Sequence, residues 1–223
     1  MKDSVEWIET LNKITGLAQS GLYYSKDVYD KERYKQLLEY VRTLAELKEI
    51  DTTDFIPKIL QYVGYATPKI DVRAVVFKEN KILLAKEVED GLWSIPGGWA
   101  DAGFSAAENA EKEVFEETGI KVKVTKLLAL TDRRKHPHPP MFLHVYKAFF
   151  WCEILGGELT PSIETSEVGF FGRDELPPIS TARVTEDQVF YQDGEPQDFE
   201  KEWLNTSIGY EHEYKEGESY NRS

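Results

Sequence analysis

The stretch from Pro96 to Ile120 constrains the fold more than any other part of the chain. Pro96-Gly97-Gly98 opens it. Ser105 and Glu108 match a capping box, in which a hydroxyl and a carboxylate satisfy each other's backbone N–H groups at a helix start. Gly119 stands where a left-handed residue closes a helix. One helix is therefore predicted over 105–118, held between two glycine turns. At 3.6 residues per turn, Glu113, Glu116 and Glu117 fall within an arc of about 100°, beside an apolar arc of Ala107, Ala110 and Val114. The apolar arc must face a core. The carboxylates gather at the C-terminal end, where the helix dipole is also negative and an isolated helix gains nothing from them. Spacing alone suits a solvated acidic face about as well as a cation site. Hard divalent ions such as Mg2+ or Mn2+ are the natural counter-charge, because they prefer carboxylate oxygens and bridge to phosphates.

Short strand patterns surround this helix. Residues 71–77 and 82–85, joined by Lys78-Glu79-Asn80-Lys81, read as a hairpin. Further strands are predicted over 122–132, 143–155 and 168–171, with a last short helix from Thr185. Residues 1–66 read as helical instead. Trp7, Leu11, Ile14 and Ala18 recur at helical steps up to Gly21, which is expected to end the first helix. Leu37, Val41, Leu44 and Leu47 repeat the pattern in a second helix from near Asp30, and a third is expected from Thr53, with Pro57 in its first turn. Short helices bury little alone, so these must pack on the rest of the chain or on a second subunit. The expected organisation is a helical domain over 1–66, an α+β domain over 67–195 and an acidic tail over 196–223.

Composition narrows the partners. With 27 Lys plus Arg against 40 Asp plus Glu, the net charge is −13, which would repel a phosphate backbone, so no nucleic acid is expected. No apolar run approaches the ~20 residues of a membrane span, so no membrane partner is expected. Cys152 is the single cysteine, which excludes an internal disulfide framework and a multi-cysteine zinc site. The N-terminus lacks the apolar run of a secretory signal, and a cytoplasmic location is expected.

Gly98, the Pro96-Gly97-Gly98 lead-in and Glu113-Val114-Phe115-Glu116-Glu117-Thr118-Gly119-Ile120 resemble the Nudix box, G-x5-E-x7-R-E-U-x-E-E-x-G-U, where U is a bulky aliphatic residue. The resemblance implies an α/β/α sandwich around a mixed sheet. It also implies hydrolysis, with Mg2+ or Mn2+, of a nucleoside diphosphate linked to another moiety. Carried over residue by residue, the Gly97 carbonyl and Glu113, Glu116 and Glu117 would hold metal, with Glu113 and Glu117 in catalytic roles. Glu164 or Glu167 would supply an extra carboxylate, either one a possible base. Arg73, Trp99, Asp101, Arg133 and Arg134 would meet the small-molecule nucleotide substrate. The N-terminal helices, with Gly21-Leu22-Tyr23-Tyr24, are similar to those of bacterial Nudix enzymes described as CDP-choline or ADP-ribose pyrophosphatases, and imply a homodimer.

Two positions depart from the box: Phe104 replaces its first glutamate and Lys112 its arginine. The expectation is that aromatic packing at Phe104 replaces the polar network that normally braces the helix. A non-hydrolysing sensor of a nucleotide derivative is the competing reading. Arg133 and Arg134 belong to a basic, proline-rich loop over 131–140, whose His136 and His138 are expected to face solvent.

Overall fold

Strict alternation in the strands builds a sheet with two apolar faces. The computed structural model describes residues 2–50 and 64–190; the helix expected from Thr53 and the acidic tail over 196–223 lie outside them. Strand β1 (Lys69–Lys78) sends Val72, Ala74 and Val76 to one face and Val75 and Phe77 to the other. It turns through Glu79 and Asn80, at φ 53° and 59°, into β2 (Lys81–Glu87). Two successive left-handed residues match the twist of a tight hairpin. Strands β3 (Trp93–Ser94), β4 (Ile120–Asp132), β5 (Val145–Gly157) and β6 (Thr165–Phe171) complete the sheet, in the order β3-β2-β1-β5-β4 with β6 also paired to β2. The β1–β2, β2–β3, β2–β6 and β4–β5 ladders are antiparallel. Strands β1 and β5 run the same way: Lys69 N–H donates to His144 O near both starts, and Phe77 stacks on Trp151 further along both. The sheet is therefore mixed.

Helix α3 (Ala106–Thr118) covers one face through Ala110 and Val114, while Ile179, Val184 and Val189, the last in short helix α4 (Glu186–Phe190), cover the other. Ser105 and Glu108 form the capping box, and Gly119 closes α3 at φ 74°. Ser105→Ala should lower stability by about 1 kcal/mol, seen as a fall of a few degrees in Tm by calorimetry.

The β1–β2 pairing is confined to Phe77–Ile82 and Lys78–Lys81. Beyond it the chain over 96–100 takes the β1 edge: Ala74 N–H donates to Pro96 O (2.9 Å), Val72 N–H to Gly98 O (2.8 Å) and Ala100 N–H to Ile70 O (2.9 Å). This places the glycine loop between β1 and α3.

The chain divides into two compact units, one joining the N-terminal helices to Pro139–Val145, the other comprising Ile70–His138 and the residues from Tyr146 onward. In the first, α1 (Lys2–Tyr24) and α2 (Val28–Leu47) bury Leu11, Ala18, Leu38, Val41 and Ala45 together with Phe142. Gly21 does not end α1. A Cβ there would meet the Tyr34 ring of α2 at 2.2 Å, so this glycine serves close helix approach. Helix α2 starts earlier than predicted, because the Asp27 carboxylate accepts from Tyr29 and Asp30 N–H. Leu38 is buried in place of Leu37, and Leu47 is exposed. Among the described residues no helix is long and apolar enough to cross a membrane.

Candidate active site

The carboxylates of α3 meet the glycine loop. Glu117, 5% exposed, accepts a hydrogen bond from Gly97 N–H at 3.1 Å, and its own backbone carbonyl accepts from the Thr165 hydroxyl at 2.7 Å. Burial pushes the Glu117 carboxyl up to about 8, partly offset by Arg73, with Glu87 and Glu113 adding to the rise. Burial also raises Glu113, against the pull of Lys112, while Glu116 and Glu164 raise it further. A Cβ on Gly98 would lie 3.1 Å from Glu113 Oε2, so the second glycine leaves room for that carboxylate. Glu116 is exposed and pairs with Lys112 Nζ at 3.1 Å.

The brace expected to be lost at Phe104 is present in another form. Phe104 is exposed and replaces nothing by packing. Lys112 Nζ instead reaches Asp101 Oδ2 at 3.1 Å and Glu113 Oε1 at 3.7 Å, besides Glu116. The hydrogen bonds to Asp101 and Glu116 hold its ammonium well above the usual lysine range. A carboxylate three residues before Phe104 thus supplies what position 104 lacks.

The remaining candidates separate. Arg73 is buried on β1, its guanidinium donating from Nε (2.6 Å) and Nη2 (3.0 Å) to Asp71 and from Nη1 to Ile95 O (3.0 Å). It holds the run into the glycine loop from behind. Trp99 is half-exposed, whereas Trp93 is buried against Phe171. Glu167 pairs with Lys86 at 2.6 Å. Glu164 is exposed, and its charge acts on Glu113. Arg134 pairs with Asp132 at 2.6 Å, and Arg133 is buried. The histidines do not simply face solvent: His138 Nδ1 lies 2.7 Å from Thr181 O.

Sequence reasoning missed Glu87. It is 7% exposed at the end of β2, accepts from the Ser94 hydroxyl at 2.8 Å and pairs with Arg183 Nε at 3.0 Å. Arg183 also binds Glu89 and Asp90, tying the β2–β3 turn together. Locally there was little sign of this, since Glu87 follows Lys86 beyond the apolar run over 82–85.

The donor set suits a hard divalent ion. Glu113 and Glu117 are carboxylates whose ionisation burial opposes, and a nearby dication would let both carry charge. Among the described residues no three His, Cys, Asp or Glu side chains are drawn together as a metal cage; Glu113 and Glu116 turn toward Lys112.

Residues 67–193 match the family model described as NUDIX domain, and residues 5–54 match the one described as UDP-X-like, N-terminal oligomerisation domain. A Bacillus subtilis (strain 168) relative, YjhB, whose name places it provisionally among ADP-ribose pyrophosphatases, is 43% identical over 85% of this chain and 91% of its own. The crystal structure of an ADP-ribose pyrophosphatase from Streptococcus suis 89-1591 is 46% identical over 55% of this chain and 87% of its own, with a TM-score of 0.50. The crystal structure of a UDP-X diphosphatase is 32% identical over 82% of this chain and 90% of its own, with a TM-score of 0.53. With its box on the helix that meets the glycine loop and its sheet covered on both faces, the chain belongs to the Nudix family.

Proposed function

We propose that this protein is a Nudix pyrophosphatase that uses Mg2+ or Mn2+ to hydrolyse a nucleoside diphosphate linked to another moiety. The products would be a nucleoside monophosphate and a phosphorylated leaving group. The observation that carries this reading is the buried Glu117 carboxylate, bonded to Gly97 N–H and flanked by Glu113. ADP-ribose is the favoured substrate, supported by the names of the similar proteins; CDP-choline rests on sequence resemblance alone.

Gly97, Glu113, Glu116 and Glu117 would hold the metal. When bound, a divalent ion offsets charge on the phosphates and lowers the pKa of the attacking water. Around it, Thr165 and Gly97 fix both ends of Glu117. Glu164 is better placed than Glu167 to take the water's proton, because its charge is felt at Glu113 while Glu167 is paired with Lys86. The half-exposed Trp99 offers a face to a base. Retention of the three box glutamates and of the Lys112 brace favours turnover over a sensor role. A homodimer through the N-terminal helices agrees with the family description of residues 5–54 and with exposed Leu17, Tyr24, Tyr29, Tyr40 and Leu47.

Incubation with Mg2+ or Mn2+ and ADP-ribose, CDP-choline or a UDP-linked sugar, followed by mass spectrometry, tests the reading. The expected result is metal-dependent release of a nucleoside monophosphate. Saturable binding of these compounds without products would establish the sensor instead.

A further inference from the structure

One extra residue in β6 turns Thr165 toward the box helix. Strand β6 runs against β2 with Gly169 opposite Leu84, Val168 opposite Ala85 and Glu167 opposite Lys86; then Thr165, and not Ser166, stands opposite Glu87. Ser166 is thus the added residue of a β-bulge, exposed, with its hydroxyl donating to Lys86 O at 3.3 Å. Residues directly opposite each other in a ladder share a face of the sheet. Leu83 and Phe170 pack toward α3, and Glu87 follows Leu83 at the same period, so it shares that face. In an unbroken ladder Ser166 would face α3 and Thr165 would point away. The bulge reverses this: Thr165 is 1% exposed and its hydroxyl reaches Glu117 O. Val88 N–H donates to Glu164 O at 2.9 Å, so pairing resumes beyond the bulge in the shifted register.

The β2 side of the bulge is clamped from a distant part of the chain. Glu87 Oε1 accepts from the Ser94 hydroxyl and pairs with Arg183 Nε. The other guanidinium nitrogens are held as well, Nη1 by Asp90 at 3.0 Å and Nη2 by Glu89 at 2.6 Å. Asp90 in turn accepts from the Ser180 hydroxyl at 2.6 Å, and Ser180 N–H donates to Trp93 O at 2.8 Å. A planar fork bound at all three nitrogens has little freedom left. Tying the β2–β3 turn needs only Glu89 and Asp90; the Nε contact carries the grip inward, to the buried acid opposite Thr165. Glu87 lies near enough to Glu117 and Arg73 for its charge to be felt at both. Without Arg183, a buried anion beside Glu117 would lose its cation.

We propose that Arg183 is a positioning residue for the reaction at Glu117. Through Glu87 it fixes the register at the bulge, the register aims Thr165, and Thr165 holds the last turn of α3 where the Glu117 carboxylate meets Gly97 N–H. This role rests on the reading of Glu117 as a metal carboxylate.

The test is hydrogen exchange of the full chain in EDTA, read by mass spectrometry, followed by calorimetric titration of Mn2+. Arg183→Met keeps a long apolar stem and removes all three contacts. Amides over 114–119 and 162–168 should then exchange at least about fivefold faster, while those over 106–110, at the capped start of α3, keep the wild-type rate. Mn2+ should bind about tenfold more weakly. Thr165→Val should weaken Mn2+ similarly, and adding Arg183→Met to it should cost less than about twofold more, because both act through one hydrogen bond. Glu89→Gln, which cuts only an arm that is 82% exposed, should match the wild type throughout. If Arg183→Met does not fold, Arg183→Lys, which keeps the charge and lacks the fork, takes its place in the same comparisons. Wild-type exchange over 114–119 in the Arg183 variant would overturn the proposal, as would losses that multiply in the double variant or a Glu89→Gln effect as large as that of Arg183→Met. If the wild type binds no Mn2+ and cleaves no nucleotide, the reading of Glu117 falls, and the metal-free exchange rates decide on their own whether Arg183 positions that turn.

Discussion

Glu117→Gln should lower kcat/KM by about a thousandfold or more while leaving the protein folded and at least as stable in the absence of metal. The amide keeps the size of the carboxylate and can still accept from Gly97 N–H. What disappears is the negative charge on a group that is 5% exposed and would face the metal. The stability half of the prediction follows from the carboxyl's position at about 8, against an ordinary 4.5. The folded state then holds a proton that the unfolded chain has released, so stability from this group is lost as pH rises from about 4.5 through 8. In EDTA, the wild type should lose Tm relative to Glu117→Gln between pH 5 and pH 8. Wild-type activity of the variant at limiting Mg2+ would remove Glu117 from the metal site.

Gly97→Ala should be nearly as damaging, for a reason that involves no charge. Gly97 sits at φ 144°, and a Cβ there would lie 2.0 Å from Val72 O, a backbone atom of β1 that cannot turn aside. The loop would have to back away from the strand, straining the Val72–Gly98 bond and the contact with Glu117. A loss of about 2–4 kcal/mol in chemical denaturation and a hundredfold or greater fall in kcat/KM are expected. Gly98→Ala is the control. Its Cβ would come no closer than 3.1 Å to the end of the Glu113 side chain, which can swing, so the fold should survive with a smaller loss of activity. Equal Tm for the two variants would refute the steric account.

Helix α3 was legible in the sequence because its signals are local: Ser105 and Glu108 are three residues apart, and Gly119 adjoins the last turn. The placing of Glu113, Glu116 and Glu117 on that helix was legible for the same reason, but not that Glu117 would be buried while Glu116 turns outward to Lys112. Groups joined across the sheet were not. Nothing near Asp71 in the chain announces Lys147, and nothing near Glu87 announces Arg183; their meetings depend on strand order and register. Gly21 was misread because a glycine in a helical pattern signals a terminus or a close neighbour equally well, and Tyr34 is thirteen residues away. The Asp101–Lys112 pair was missed because the box motif directed attention to position 104, while the loop geometry brought position 101 within reach.

The loop over 96–100 holds its place on β1 through main-chain hydrogen bonds, as an extra strand would. Such bonds are indifferent to which side chains the residues carry. Apart from the two glycines, the positions along this rim, Trp99 foremost, can therefore drift without disturbing the anchorage of Glu117. An ancestral enzyme of this kind would be free to exchange one ligand for another by changing the rim alone, so divergence in substrate choice among related chains should concentrate there while the carboxylate scaffold stays put.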